Sequence, residues 1–111
     1  VADDATERAQ GLSDRESLPA DAGMWFTYVN AHQPSFWMRN MRFPIDIIWV
    51  DPNFSVVDIT HEAPAPPEDA ELSQLPMYTP NAPIQYVLEI NAGLARALKI
   101  EPGAEVTLDQ R

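Results

Sequence analysis

The sequence predicts a mainly β domain: a small antiparallel barrel or sandwich with two short helices and a long proline-rich loop. Three observations carry that expectation. At least five short runs rich in β-branched and aromatic residues alternate with tight-turn signals. The connections between these runs are mostly too short for the crossover helices of a parallel sheet. The 111 residues contain no internal repeat and no linker, so residues 1–111 read as one domain around one core.

The elements follow in order. The start, Val1-Ala-Asp-Asp4, lacks an initiator Met and a charged-then-apolar leader, and reads as a processed terminus. Asp4 and Glu7 have capping-box spacing, so Ala5 to Leu12 is expected as a short helix that Gly11 weakens or ends. Asp14 to Gly23 is a polar loop. Met24 to Val29 is an aromatic strand, Asn30 to Pro34 a turn, and Ser35 to Met38 a second short strand. A connection over Arg39 to Pro44 leads to Ile45–Val50, so apolar that both its faces are expected to be buried. Asp51-Pro-Asn-Phe54 suits a type I turn, and Ser55 to Thr60 returns as the hairpin partner.

Residues 62–83 hold six of the eleven prolines, which excludes an inner strand or a long helix and predicts the long loop. Gln85 to Ile90 is a further strand. Asn91 is expected to cap a helix over Ala92 to Lys99, with Leu94 and Leu98 on one face. Pro102 and Gly103 fill the centre of a type II turn, and Ala104 to Leu108 is the closing strand.

Composition narrows the function. There is no cysteine, which removes disulfides, thiolate metal sites and cysteine nucleophiles. Seventeen acids against seven bases leave a net charge of −10, and Lys99 is the only lysine. Such a chain repels phosphate, so neither nucleic acid nor an anionic membrane is an expected partner. The acid is concentrated in residues 1–22 and 52–83, most simply as a solvated surface, and salty surroundings remain an open explanation for it. No apolar run is long enough to span a membrane. Four glycines leave no phosphate-cradling loop, and neither a Gly-x-Ser-x-Gly elbow nor a His-Glu-x-x-His motif occurs. His32 and His61 are isolated; His61, Glu62 and Asp58 around a cation is a weak alternative to a solvent-facing strand end. No cofactor and no metal are expected.

Two carboxylates stand out. Asp46 interrupts Ile45, Ile47, Ile48, Trp49 and Val50, and a carboxylate there must be paired or hydrogen-bonded to stay charged. Arg39 and Asn40, just upstream, are its nearest candidate partners. Glu89 sits likewise inside Tyr86-Val-Leu-Glu-Ile90. Structural pairing or an outward strand face is the plain reading of both, a polar ligand-binding cluster the sharper one, and acid–base work the sharpest. Trp25, Trp37 and Trp49 read as core residues. Trp37, beside Arg39 and Asn40, is the one best placed to stack on a ligand.

Six ordered blocks then narrow the field: Gly11-Leu12, Arg15-Glu-Ser-Leu-Pro19, Gly23-Met24 with Phe26, Phe36-Trp-Met38 with Asn40, Pro44-Ile-Asp-Ile-Ile48, and Tyr86-Val-Leu-Glu89 with Ala92-Gly93. Together they resemble the DUF192 family, also called UPF0127, of uncharacterised bacterial and archaeal proteins, over about Glu7 to Val106. The resemblance implies a small, mainly β domain and an exported, extracytoplasmic protein. It supplies no catalytic residue, places Trp37, Asn40, Asp46 and Glu89 inside motif blocks, and puts Arg39 where a basic residue is usual. Ser13, Met41 and Pro102-Gly-Ala104 depart from the family pattern, as does the lack of a strand before the first helix.

The leading expectation is a non-catalytic domain of the cell envelope that binds a small molecule or a protein partner through Trp37, Arg39, Asn40, Asp46 and Glu89. One alternative is a small hydrolase- or lyase-like enzyme using Asp46 and Glu89 as acid and base. Another is an assembly module with an acidic interaction surface.

Overall fold

The computed structural model describes residues 23–38, 41–66, 75 and 77–106, with Trp37 described for its backbone alone. Four strands build the main sheet: β1 (Gly23–His32), β3 (Ile45–Val50), β4 (Val56–Ala63) and β6 (Ile84–Asn91). Their order is β1-β6-β3-β4, with every neighbouring pair antiparallel. A two-stranded ribbon pairs β2 (Phe36–Trp37) with β5 (Met77–Tyr78). One short helix, α1 (Leu94–Ala97), follows β6.

The sheet stays open, with β1 and β4 as its edges, rather than closing into a barrel. Four strands are too few to enclose an interior that holds side chains such as Phe26 and Trp49. Both faces are covered instead. One face carries Phe26, Ile45, Ile47, Trp49, Ile84 and Val87, with Phe36, Tyr78, Met38, Met41 and Phe43 packed on it. The other carries Ile48, Val50, Val56 and Ile90 under Ala95, Leu94, Ile100, Ala104 and Val106. The inner strand β3 is therefore buried at all six positions, as its composition predicted. No described helix is long and apolar enough to cross a membrane.

Several boundaries differ from expectation. β1 continues through Asn30-Ala-His32, which the sequence assigned to a turn, because an irregularity between Thr27 and His32 shifts the register and keeps pairing alive to Ile84. The turn at Asp51 forms as expected. Its carbonyl accepts the Phe54 N–H at 3.0 Å, and Oδ1 accepts the N–H groups of Asn53 and Ser55. Phe54 takes a left-handed φ of 62°, a conformation its ring offsets by stacking on Tyr86 at 4.6 Å.

β4 runs to Ala63, past the expected end, and the proline-rich segment is not one long loop: Met77–Tyr78 within it form β5. The helix is shorter than Ala92 to Lys99. Gly93, at φ 85°, cannot be helical and becomes the N-cap in place of Asn91, while Lys99 at φ 59° closes the end. The Ile100 N–H bonds the Ala95 carbonyl and the Lys99 N–H that of Arg96, a Schellman motif with lysine where glycine is usual. The type II turn stands at Pro102-Gly103, with Gly103 at φ 97°. The closing strand reduces to a single bridge, Ser55 with Glu105. The expected helix at Ala5 to Leu12 lies outside the described residues, as do residues 67–74, Pro76 and 107–111.

Candidate functional site

Register decides which candidate residues meet. In β3 and β6, Asp46 pairs with Ile90 and Ile47 with Glu89. Successive side chains alternate between faces, so Asp46 and Glu89 point to opposite sides of the same sheet. The sheet separates the two carboxylates, and they cannot share one substrate as acid and base.

Asp46 faces α1 and is fully buried, at 0 % exposure. Its Oδ1 accepts the N–H of Glu62 at 2.8 Å and of Gly93 at 3.2 Å, and its Oδ2 accepts the N–H of Ala95 at 2.8 Å. A carboxylate thus caps the helix from a strand, in place of a side chain next to the helix. Glu62 is the left-handed residue of an irregularity in β4, where pairing steps from Thr60 to Ala63 against Ile47 to Ile45. Asp46 therefore ties β3, β4 and α1 together through main-chain donors. Arg39 and Asn40, the partners the sequence suggested for it, lie outside the described residues.

Glu89 faces the other way. It occupies a row across the sheet formed by Met24, Glu89, Ile47 and Thr60. None of its row neighbours titrates, and the Thr60 hydroxyl already accepts the Trp49 indole N–H at 3.0 Å. Glu89 is 7 % exposed, and no donor among the described residues bonds its carboxyl group. Burial alone pushes its pKa from 4.5 up to about 7. Gly23 makes this corner tight: a Cβ there would lie 2.9 Å from the Glu89 carbonyl oxygen and 2.9 Å from Ile90 Cγ2.

Described parts of the segment the sequence singled out pack on this same face. Phe36 packs on the adjacent row, its ring 5.8 Å from Phe26 and 5.1 Å from Trp49. Ile45 pairs with Asn91, beyond Glu89 on the other side. Met38 and Met41, between Phe36 and Ile45 in the chain, are buried in the same apolar cluster, and the Met41 N–H bonds the Met38 carbonyl at 3.1 Å. The backbone of Trp37 pairs with Met77, and Arg39 and Asn40 are outside the described residues. Of the five candidates, then, Glu89 faces the β2 side of the sheet, Asp46 is removed to the far face, and Trp37 sits in β2 by its backbone.

Comparison with known proteins bears on the fold and the family. The chain matches the family model DUF192, "Uncharacterized ACR", over residues 1–108. The chain belongs to the DUF192 family. The crystal structure of a protein of unknown function from Novosphingobium aromaticivorans DSM 12444 superposes with a TM-score of 0.83 at 36% identity, covering 96% of this chain and 71% of that one. A second, from Sinorhizobium meliloti 1021 and described as a "putative transcription regulator", gives 0.81 at 30% identity, covering 94% and 75%. No curated protein matches the chain significantly.

Other expectations resolve locally. Among the described residues, no three His, Asp or Glu side chains gather as a metal site. Asp58 accepts the N–H groups of Ile59 and Asn81, so it serves the loop before β6 rather than His61. The sequence reading named Gly23 in a motif block and Glu62 in a weak cation alternative, but gave neither a part in holding Asp46 or Glu89. Only Gly23, directly before an aromatic strand, carried a signal that could have been read.

Proposed function

We propose that this DUF192 domain is a non-catalytic binding module whose site is the Glu89 face of the sheet, on the side that β2 covers. The observation that carries this reading is the carboxyl group of a residue only 7 % exposed, set in an apolar row and with no donor among the described residues. Buried polar groups in folded proteins nearly always have partners, and an exception needs a reason. A ligand that supplies the missing partner is that reason. Catalysis has less support, because the second carboxylate is spent on three backbone N–H groups on the opposite face.

The ligand in this reading is not nucleic acid. Seven basic residues against seventeen acidic ones give phosphate little to bind, whatever role the Sinorhizobium relative has. Extracytoplasmic location, implied by the family resemblance, belongs to the same proposal and is tested by fractionating cells that express the full-length protein. A thermal-shift screen of small molecules against the parent and Glu89→Gln tests the site. Ligands that raise the parent's midpoint and leave the variant's unchanged support it. Ligands that stabilise both equally remove Glu89 from the site.

A further inference from the structure

The turn that joins β3 to β4 carries a motif with no part in the Glu89 face. Asn53-Phe-Ser55 is an asparagine, a non-proline residue and a hydroxyl residue, the acceptor pattern for N-linked glycosylation. The other asparagines, at 30, 40, 81 and 91, are followed two residues on by His32, Arg42, Pro83 and Gly93, so none repeats it. A three-residue pattern can arise by chance, and its setting decides what it can do. Pro52 and Asn53 are exposed at the tip of the turn. The backbone around Asn53 is committed. Its N–H and that of Ser55 bond Asp51 Oδ1, the Phe54 N–H bonds the Asp51 carbonyl, and the Phe54 carbonyl accepts the Val106 N–H at 2.7 Å. The Phe54 ring is held on Tyr86 at 4.6 Å. The turn thus fixes the tripeptide through its main chain and its aromatic ring and leaves Asn53 at the surface, where a bulky hydrophilic group displaces no core side chain.

We infer that Asn53 is the acceptor of an N-linked glycan, transferred from a lipid diphosphate-linked oligosaccharide as the chain is exported. The inference rests on the extracytoplasmic part of the reading above, since this acceptor pattern belongs to surface loops of secreted proteins. In the transfer, the Asn53 side-chain nitrogen attacks the anomeric carbon of the donor. The N–C bond forms and the C–O bond to the diphosphate breaks. The amide gives up one proton to a base of the transferase, the lipid diphosphate leaves, and nothing is oxidised or reduced. Ser55 supplies the hydroxyl that completes the acceptor pattern. In the folded protein Ser55 is half-buried and bridged to Glu105 through the backbone, so transfer precedes closure of the turn. Folding then carries the finished glycan outward with Asn53. Asn53 lies beyond the end of β3, whereas Glu89 pairs with Ile47 within it, so the modification and the Glu89 face are separate features.

The test expresses the full-length protein in the organism that encodes it, separates the cytoplasmic and extracytoplasmic fractions, and reads the mass of the peptide carrying Asn53. The expected result is a saccharide mass on that peptide in the extracytoplasmic fraction, with sugar fragment ions. Asn53→Gln, a change at an exposed position, should lose the added mass entirely. Ser55→Ala should lose it as well, while Ser55→Thr, which keeps the hydroxyl, should retain it. Extracytoplasmic protein with an unmodified Asn53 overturns the inference and leaves the location standing. Protein confined to the cytoplasm overturns both. Added mass that persists in Asn53→Gln puts the sugar on another residue, and the assignment to Asn53 falls. The Glu89→Gln ligand screen is independent of each of these outcomes.

Discussion

Asp46 and Glu89 lie on adjacent strands one register step apart, both buried and both acidic, yet the protein treats them in opposite ways. Asp46 accepts three main-chain N–H groups from two other elements. Glu89 has none among the described residues, and burial raises its pKa to about 7. Burial by itself therefore says little about a carboxylate's role; the supply of donors decides it. On the α1 face the charge organises backbone that would otherwise be unsatisfied. On the β2 face a charge has nothing to organise, and the fold carries it at a cost.

The sharpest way to break the comparison is Asp46→Ala. Three buried or half-buried N–H groups lose their acceptor at once, and the expected loss is about 4 kcal/mol. In a domain of this size that is roughly a 16 °C fall in the thermal midpoint. Asp46→Asn retains one acceptor oxygen but turns an NH2 group toward at least one donor, so its loss should lie between those of Ala and parent. A midpoint unchanged in Asp46→Ala would mean that water serves those donors as well as the carboxylate does.

Glu89→Gln tests the other half. The folded protein holds the Glu89 proton up to about pH 7, whereas the unfolded chain releases it near 4.5. Between those values the folded state binds more protons, so stability falls as pH rises through the window. The full loss is about 3 kcal/mol, and Gln, being neutral throughout, does not incur it. Urea unfolding of both proteins at pH 4 and pH 8 should therefore show the variant gaining relative to the parent at the higher pH. Parallel profiles would mean that the carboxyl group finds a partner or solvent when it ionises.

A smaller effect concerns what fixes Glu89 against β1. Gly23→Ala puts a methyl 2.9 Å from the Glu89 carbonyl oxygen, a backbone atom that cannot swing aside. The start of β1 must shift, at a cost of about 2 kcal/mol by denaturant unfolding. An unchanged stability would show that β1 and β6 can part at this corner without loss.

These contrasts explain how much the sequence could reveal. Asp46 was legible as a group needing partners, because a carboxylate within an isoleucine-rich strand is an anomaly on its own. Its partners were not, since they are backbone N–H groups, which every non-proline residue carries; Glu62, Gly93 and Ala95 are distant in the chain and bear no distinguishing mark. The pairing of Asp46 with Glu89 failed for a different reason. Whether two strand residues share a face depends on register, and a one-residue step reverses the answer. The strands themselves were readable from composition, whereas their ends moved: β1 gained Asn30 to His32 through an irregularity, and β5 arose inside a proline-rich stretch because only two residues were needed to pair with β2.

The smallest expected effect separates two ways of holding Glu62. Its backbone N–H bonds Asp46 at 2.8 Å, while its side chain meets Arg96 at 2.6 Å. The second contact is shorter, but its side chains are 62 % and 53 % exposed, for Arg96 and Glu62. Solvent screens that pair, and holding two long side chains in one geometry costs entropy, so Arg96→Ala should lose no more than about 0.5 kcal/mol. The loss should shrink further in high salt. Arg96 and Asp46 act on the same residue from opposite ends, so a double-mutant cycle in urea is decisive. Additive losses mean that Asp46 holds the β4 irregularity through the backbone and Arg96 merely dresses its surface. A coupling as large as the Arg96 effect itself would mean that the ion pair positions the Glu62 N–H for Asp46, and the buried carboxylate would then owe part of its order to the exposed one.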